Sequence, residues 1–209
     1  MNYHIIPVTD FMQNCTILWC EQSKDAAIVD PGGDAQSLVA YIEQQQLTVR
    51  KILLTHAHID HAGATAELAA KFDCPIEGPH QDDKFWIDAL PQQSQMFGFP
   101  KVDGFSPTRW LNQGDEITVG QHTLEVRHCP GHTPGHVVFV DQAAKFAIVG
   151  DVIFKNSIGR TDFPKGDHAT LINAIKQQIL SLPDDMTLLP GHGPTTTVAR
   201  ERQNNPYIR

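Results

Sequence analysis

Leu54-Thr55-His56-Ala57-His58-Ile59-Asp60-His61, read LTHAHIDH, begins on the last residue of the run Lys51-Ile52-Leu53-Leu54. An aliphatic run that stops at a polar turn is a buried strand feeding a loop. In an extended segment, side chains two apart share a face, so His56 and His58 can grip one ion together. Asp60 and His61 are adjacent, and a continuing strand would point them apart. A turn there, into the helix suggested by residues 62–72, would bring both to a second ion. Imidazole and carboxylate ligands suit zinc, iron or manganese better than calcium or magnesium. The competing reading is a set of ordinary surface or packed histidines, but such a polar cluster beside a core strand is costly unless paired or metallated.

With 209 residues, 41% of them hydrophobic, the chain has enough apolar material for one large domain spanning 1–209. Its apolar runs are far shorter than the roughly 20 residues of a membrane span. The start, MNYHIIPVTDF, has neither the basic region nor the apolar core of a signal peptide, so the expectation is a cytoplasmic monomer with no membrane partner. Cys15, Cys20, Cys74 and Cys129 form no CxxC pair and read as free thiols packed as small hydrophobes. The net charge of −8, from 16 basic and 24 acidic residues, argues against a nucleic-acid partner, which needs a basic stripe. It leaves room for an anionic substrate, because the field beside a metal can oppose the global charge.

Residues 4–8, 15–20 and 26–29 read as three early strands. Asp30-Pro31-Gly32-Gly33-Asp34 then breaks the sheet, with Asp34 as N-cap of a helix to about Gln45. After the strand at 51–54, the ligand loop and an alanine-rich helix come a short strand at 75–78 and a helix at 81–90. Residues 91–109, punctuated by Pro91, Gly98, Pro100, Gly104 and Pro107, read as an irregular connection between two halves. Its Met96, Phe97, Phe99 and Phe105 are expected to anchor that connection to the core. The second half repeats the plan, with strands at 116–119, 122–128, 136–140 and 146–149, a helix at 168–180 and a strand at 186–189. Two sets of strands, each with helices alongside, predict an α/β fold: a four-layer αβ/βα sandwich of two mixed sheets flanked by helices.

Each later strand delivers a polar group at its end. The strand 122–128 runs into Cys129-Pro130-Gly131-His132-Thr133-Pro134-Gly135-His136, 146–149 into Gly150-Asp151, and 186–189 into Pro190-Gly191-His192-Gly193. Strand ends on one edge of a sheet are where α/β proteins gather their chemistry. The order LTHAHIDH, PGHTPGH, GD and PGHGP resembles the metallo-β-lactamase superfamily over nearly the whole chain. That resemblance implies a metal held by His56, His58 and His132, a second held by Asp60, His61 and His192, and Asp151 bridging both. The implied cofactors are two divalent ions, zinc with iron or manganese as alternatives. His4, His80, His122, His128 and His168 fall outside the motifs and are expected at the surface or in packing. His136 is expected to hydrogen-bond near the site rather than to ligate.

The resemblance also implies a reaction, hydrolysis by a metal-bound hydroxide that Asp60 orients or deprotonates. The stretch GDVIFKNSIGRTDF, residues 150–163, resembles the glyoxalase II branch, the hydroxyacylglutathione hydrolases, particularly their short bacterial form. Its implied substrate is a glutathione thioester, with S-D-lactoylglutathione giving D-lactate and glutathione. Arg160, nine residues after Asp151, would meet glutathione, whose carboxylates suit a guanidinium. The alternative for Arg160 is an ion pair with Asp162. Longer members carry a C-terminal helical domain with further glutathione contacts, for which this chain has no room, and a tyrosine where Asp162 stands. GRTDF is also similar to persulfide dioxygenases, which would use one iron on His56, His132 and Asp151. A lactonase, a β-lactam hydrolase and a non-enzymatic metal-binding module are the remaining alternatives.

Overall fold

The computed structural model describes residues 1–208. In the first sheet, β1 (Asn2–Val8), β2 (Gln13–Trp19), β3 (Asp25–Val29), β4 (Thr48–Leu53) and β5 (Ile76–Glu77) lie side by side in chain order. β1 to β3 pair antiparallel, and β3, β4 and β5 pair parallel. Parallel neighbours need long crossovers, supplied by α1 (Ala35–Gln44) before β4 and by α2 (Ile59–Ala62) and α3 (Thr65–Phe72) after it. Two short helices, α4 (Lys84–Asp88) and α5 (Leu90–Phe97), precede the second sheet. That sheet begins with β6 (Glu116–Val119), β7 (His122–His128), β8 (Val137–Asp141) and β9 (Phe146–Gly150). A separate hairpin, β10 (Ile153–Phe154) and β11 (Ser157–Ile158), leads into α6 (His168–Ala174). The chain then adds β12 (Thr187–Pro190), parallel to β9, and β13 (Thr196–Thr197), and ends in α7 (Val198–Asn204).

Period-two alternation sorts the strand side chains between two faces. Leu18, Ala27, Val29 and Leu53 of the first sheet meet Val126, Phe139, Phe146 and Ile148 of the second in one apolar layer. Their neighbours Ile17, Ile28 and Ile52 face the other way, against Leu38 and Ile42 of α1 and Leu68 of α3. In the second sheet Val138, Val140, Ala147 and Val149 likewise pack on Leu171 and Ala174 of α6 and Val198 of α7. Helix, sheet, sheet, helix is the four-layer α/β sandwich expected from the strand pattern. No helix among the described residues is long and apolar enough to cross a membrane.

Three expectations need correcting. Residues 90–97 are helical, where an irregular connection was expected: Pro91 sits in the first turn and Gly98, at φ 74°, ends the helix. These are start and stop signals of a helix. Met96 and Phe97 do not anchor to the core, since they are 75% and 42% exposed, whereas Phe99 and Phe105 do pack on it. Asp34 stands at the N-cap position of α1, but its side chain caps no helix amide. Its carboxylate accepts the Thr9 N–H at 2.7 Å and so ties the β1–β2 turn to the loop before α1.

All four cysteines are free, and Cys15, Cys20 and Cys129 are buried. Phe139 is fully buried between the two sheets. Phe139→Ala should lower stability by about 3–5 kcal/mol, measured as a lower urea midpoint for an otherwise cooperative unfolding curve.

Candidate metal centre

The hydrogen-bond ladder of β4 ends where Leu54 N donates to Glu77 O, at the end of β5. Beyond it, side chains take the place of a neighbouring strand. Thr55 N donates to Asp30 Oδ1 at 2.7 Å, Ala57 N to Asp83 Oδ2 at 3.3 Å, and Ile59 N to Gln93 Oε1 at 2.9 Å. Alternate residues of the loop are thus pinned through the backbone, and none of these bonds uses a ring nitrogen of His56 or His58.

Ligand atoms from His56, His58 and His132 all lie within 4.8 Å of one another, as do those from Asp60, His61 and His192. Asp151 stands between the two groups. Its Oδ1 is 3.3 Å from His61 Nε2, and its Oδ2 is 3.7 Å from both His132 Nε2 and His192 Nε2. The structure therefore brings together all seven residues expected from the motifs. Close approach of backbone makes this possible: a Cβ on Gly191 would fall 2.3 Å from Asp151 Oδ1. Gly150, at φ 47°, lies where a Cβ would sit 2.6 Å from His136 Nε2 and Thr55 Oγ1.

Four of the five histidines have one ring nitrogen fixed by an acceptor, which sets the tautomer and frees the other nitrogen. His61 Nδ1 donates to Asp30 Oδ2 at 3.0 Å, His132 Nδ1 to Arg160 O at 2.7 Å, and His192 Nδ1 to Phe11 O at 3.2 Å. Thr55 Oγ1 donates to Asp30 Oδ2 at 2.6 Å, so it accepts from His56 Nδ1 at 3.1 Å. His58 differs: its Nδ1 lies 3.0 Å from His132 Nε2, a distance suited to a shared proton or a shared cation. His56 Nε2, His61 Nε2 and Asp151 Oδ1 are buried without a hydrogen-bond partner among the described residues. The approach of His61 Nε2 to Asp151 Oδ1 lacks the alignment of a hydrogen bond. An unmatched buried polar atom costs about 1–3 kcal/mol, and several on one edge of the sandwich fit a site for cations. The His/Asp clusters are suited to a dinuclear metal centre.

The two groups differ electrostatically. Burial, reinforced by neighbouring rings, holds His56 well below the ordinary histidine range and His58 down to about 3, and burial also lowers His132. In the other group burial opposes charge on His61, but Asp151 and Asp60 override it and hold its pKa well above the usual value. Burial opposes charge on His192 as well, and the hydrogen bond to Asp60, at 3.1 Å, and then Asp151 raise it. Burial would raise Asp151, yet His61 first, then His132 and His192, keep it well below the carboxylate range.

Three residues of the surroundings escaped the motif reading. Asp30, Asp83 and Gln93 are buried and hold the ligand loop. Asp83 also accepts from Thr133 Oγ1 at 2.8 Å and Gly135 N at 2.6 Å, and burial pushes its carboxyl up to about 7 against these donors. His136 belongs to neither group: its Nε2 accepts the Asp151 N–H at 3.0 Å and its ring stacks on His56. A further group, His80, Asp82 and His128, lies at the surface. The two rings there are stacked 26° from parallel, so their in-plane lone pairs do not converge on one ion. Arg160 is exposed, pairs through two nitrogens with both oxygens of Asp162, and lies 4.6 Å above the Phe163 ring. Phe163 in turn packs against His58.

Residues 8–192 match the metallo-beta-lactamase superfamily, and the chain belongs to that superfamily. It is 46% identical, over all of its length and 98% of the relative's, to the hydroxyacylglutathione hydrolase GloC of Haemophilus influenzae. Among solved structures it resembles the BLEG-1 B3 metallo-beta-lactamase, with a TM-score of 0.92, 37% identity and 99% of each chain covered. It also resembles the di-iron-bound form of TTHA1623, with a TM-score of 0.89, 32% identity, and 98% of this chain and 99% of that one covered.

Ligation requires unprotonated histidine. The His56 group is already neutral near pH 7, whereas His61 and His192 are raised toward the protonated form and must release protons to bind a metal. Uptake of one metal equivalent should therefore strengthen with rising pH through neutrality and the other should change little. Calorimetric titration in buffers of different ionisation enthalpy reads this as unequal proton release, and equal release by both would contradict the assignment of charge.

Proposed function

We propose that this protein is a thioester hydrolase of the glyoxalase II type, one hydrolase domain acting in the cytoplasm on S-D-lactoylglutathione or a closely similar glutathione thioester. The observation that carries this reading is the end-to-end likeness to a hydroxyacylglutathione hydrolase. The metal centre supports it. In this reading His56, His58 and His132 hold one divalent ion, Asp60, His61 and His192 hold a second, and Asp151 contacts both. When bound, such ions polarise a carbonyl and lower the pKa of water from 15.7 toward about 7.

The remaining work falls to the chain's own groups. Asp60, whose Oδ2 lies 3.1 Å from His192 Nε2, is the group proposed to orient the attacking oxygen and take its proton. Burial of His56, His58, His61 and His132 leaves the His192 side, where the side chain is 29% exposed, as the approach for substrate. Phe154, near His192, and Phe163, beside His58 and His132, are apolar walls that exclude bulk water. Arg160 is the residue proposed to meet a carboxylate of glutathione, sharing its guanidinium with Asp162.

The test is hydrolysis of S-D-lactoylglutathione by purified protein whose metal content is measured on the same sample. Rapid loss of the thioester with close to two metal ions per chain is expected. An intact thioester in the presence of fully metallated protein would overturn the substrate assignment, and turnover of a β-lactam instead would redirect it.

Arg160→Ala leaves the backbone carbonyl that holds His132 in place and removes only the side chain. It should raise KM for the glutathione thioester several-fold with little change in kcat. An unchanged KM would assign the guanidinium to its ion pair alone.

A further inference from the structure

Asp83 is fully buried, and its two oxygens reach two different ligand loops. Oδ2 accepts from Ala57 N, between His56 and His58, and from Thr133 Oγ1, next to His132, while Oδ1 accepts from Gly135 N. The contact is backbone-tight, since a Cβ on Gly135 would sit 2.5 Å from Asp83 N. Gln93, 6% exposed on α5, grips the first loop from another side. Its Oε1 accepts from Ile59 N, and its Nε2 donates to Trp86 O at 2.9 Å and to Ala57 O at 3.4 Å. Neither residue spends a ring nitrogen of the three histidines.

We propose that Asp83 and Gln93 are positioning residues that set the metal affinity of the His56, His58 and His132 group by holding Ala57, Ile59, Thr133 and Gly135 in register. The proposal rests on the metal centre described above and not on the substrate. His132 is held on its far side by Arg160 O, so its loop is fixed at two points, and His56 and His58 are fixed through the amide between them. Loss of either clamp leaves all three imidazoles present but less firmly held relative to one another. The Asp60, His61 and His192 group takes no contact from Asp83; it is held by Asp30 and Phe11 O.

The experiment is titration of metal-free protein with zinc against a chelating indicator, and with cobalt(II) read by its visible absorption. Wild type, Asp83→Asn, Gln93→Met and, as a reference for loss of the group, His132→Ala are compared. Asp83→Asn has one acceptor oxygen where Asp83 uses two, so it cannot serve both Ala57 N with Thr133 Oγ1 at one end and Gly135 N at the other, and Gln93→Met keeps length and shape without a polar end. Both are expected to weaken, by about 10- to 100-fold, the equivalent that His132→Ala abolishes and to alter its cobalt spectrum; Asp83→Asn, which touches none of Asp60, His61 and His192, leaves the other essentially unchanged, and Gln93→Met, whose partner Ile59 precedes Asp60, weakens the other less than the first. Equal weakening of both equivalents, or none, would overturn the proposal. If Asp83→Asn fails to fold, Gln93→Met decides by the same readout. Wild-type protein that takes up no metal overturns the metal centre and this proposal together, whereas metal-replete protein inactive on the thioester overturns only the substrate reading.

Discussion

The site depends on a short strand. β5 stops at Glu77, so the segment after Leu54 has no neighbour to take its amides. A buried N–H must find an acceptor, and here Asp30, Asp83 and Gln93 supply one each for Thr55, Ala57 and Ile59. The segment is pinned without being part of a sheet, and both of its sides stay accessible to side chains from other elements. A longer β5 would satisfy the same amides but would occupy the space through which Asp83 reaches the loop of His132. Thr55 O completes the join by accepting from Val137 N of β8, across the sandwich. The two sheets are thus locked together at the edge where the ligands converge.

Five histidines and two aspartates packed this closely are stable only if their charges are arranged. One half of the cluster lies deepest, and burial keeps His56, His58 and His132 neutral. The other half carries Asp60, and Asp151, between the halves, comes nearest to His61, so His61 and His192 are drawn toward the charged form. Protons on that half partly offset the charge that a cation would otherwise balance. The asymmetry comes from where the carboxylates sit, since both halves contain imidazoles of the same intrinsic basicity.

The residues that meet at the centre were readable in the sequence because they sit in short motifs after apolar strands, and two sets of strands with helices alongside foretold two sheets covered by helices. The clamps were not, because nothing local marks them. Asp83 reaches Thr133 and Gly135 across 50 and 52 residues, and Gln93 reaches Ile59 across 34. Gln93 was further hidden because Pro91 and Gly98 suggest a broken loop when met singly. Placed seven residues apart at the first turn and just past the end, they delimit a two-turn helix, and that helix aims Gln93 at the ligand loop. For Arg160 the sequence left open an ion pair with Asp162 and a contact with substrate; the ion pair is present, and an exposed guanidinium can share it.

Metal ligands common to a whole superfamily cannot by themselves choose a substrate, so selectivity must come from residues around them. In this chain the two are not mechanically separate. Arg160 sends its side chain to the rim while its backbone carbonyl holds the His132 ring, and Phe163, three residues on, lies under the guanidinium and against His58. A Cβ at Gly159 would fall 1.9 Å from Asp151 O, so the same loop also rests on the backbone of the residue between the two groups. A change in residues 159–163 that moved the backbone or the Phe163 ring would therefore also press on His58, His132 or Asp151. That coupling restricts which substitutions can retune specificity. Exposed side-chain atoms of Arg160 and Asp162 are free to vary, while the backbone path and the Phe163 ring are constrained by the metal centre beneath them.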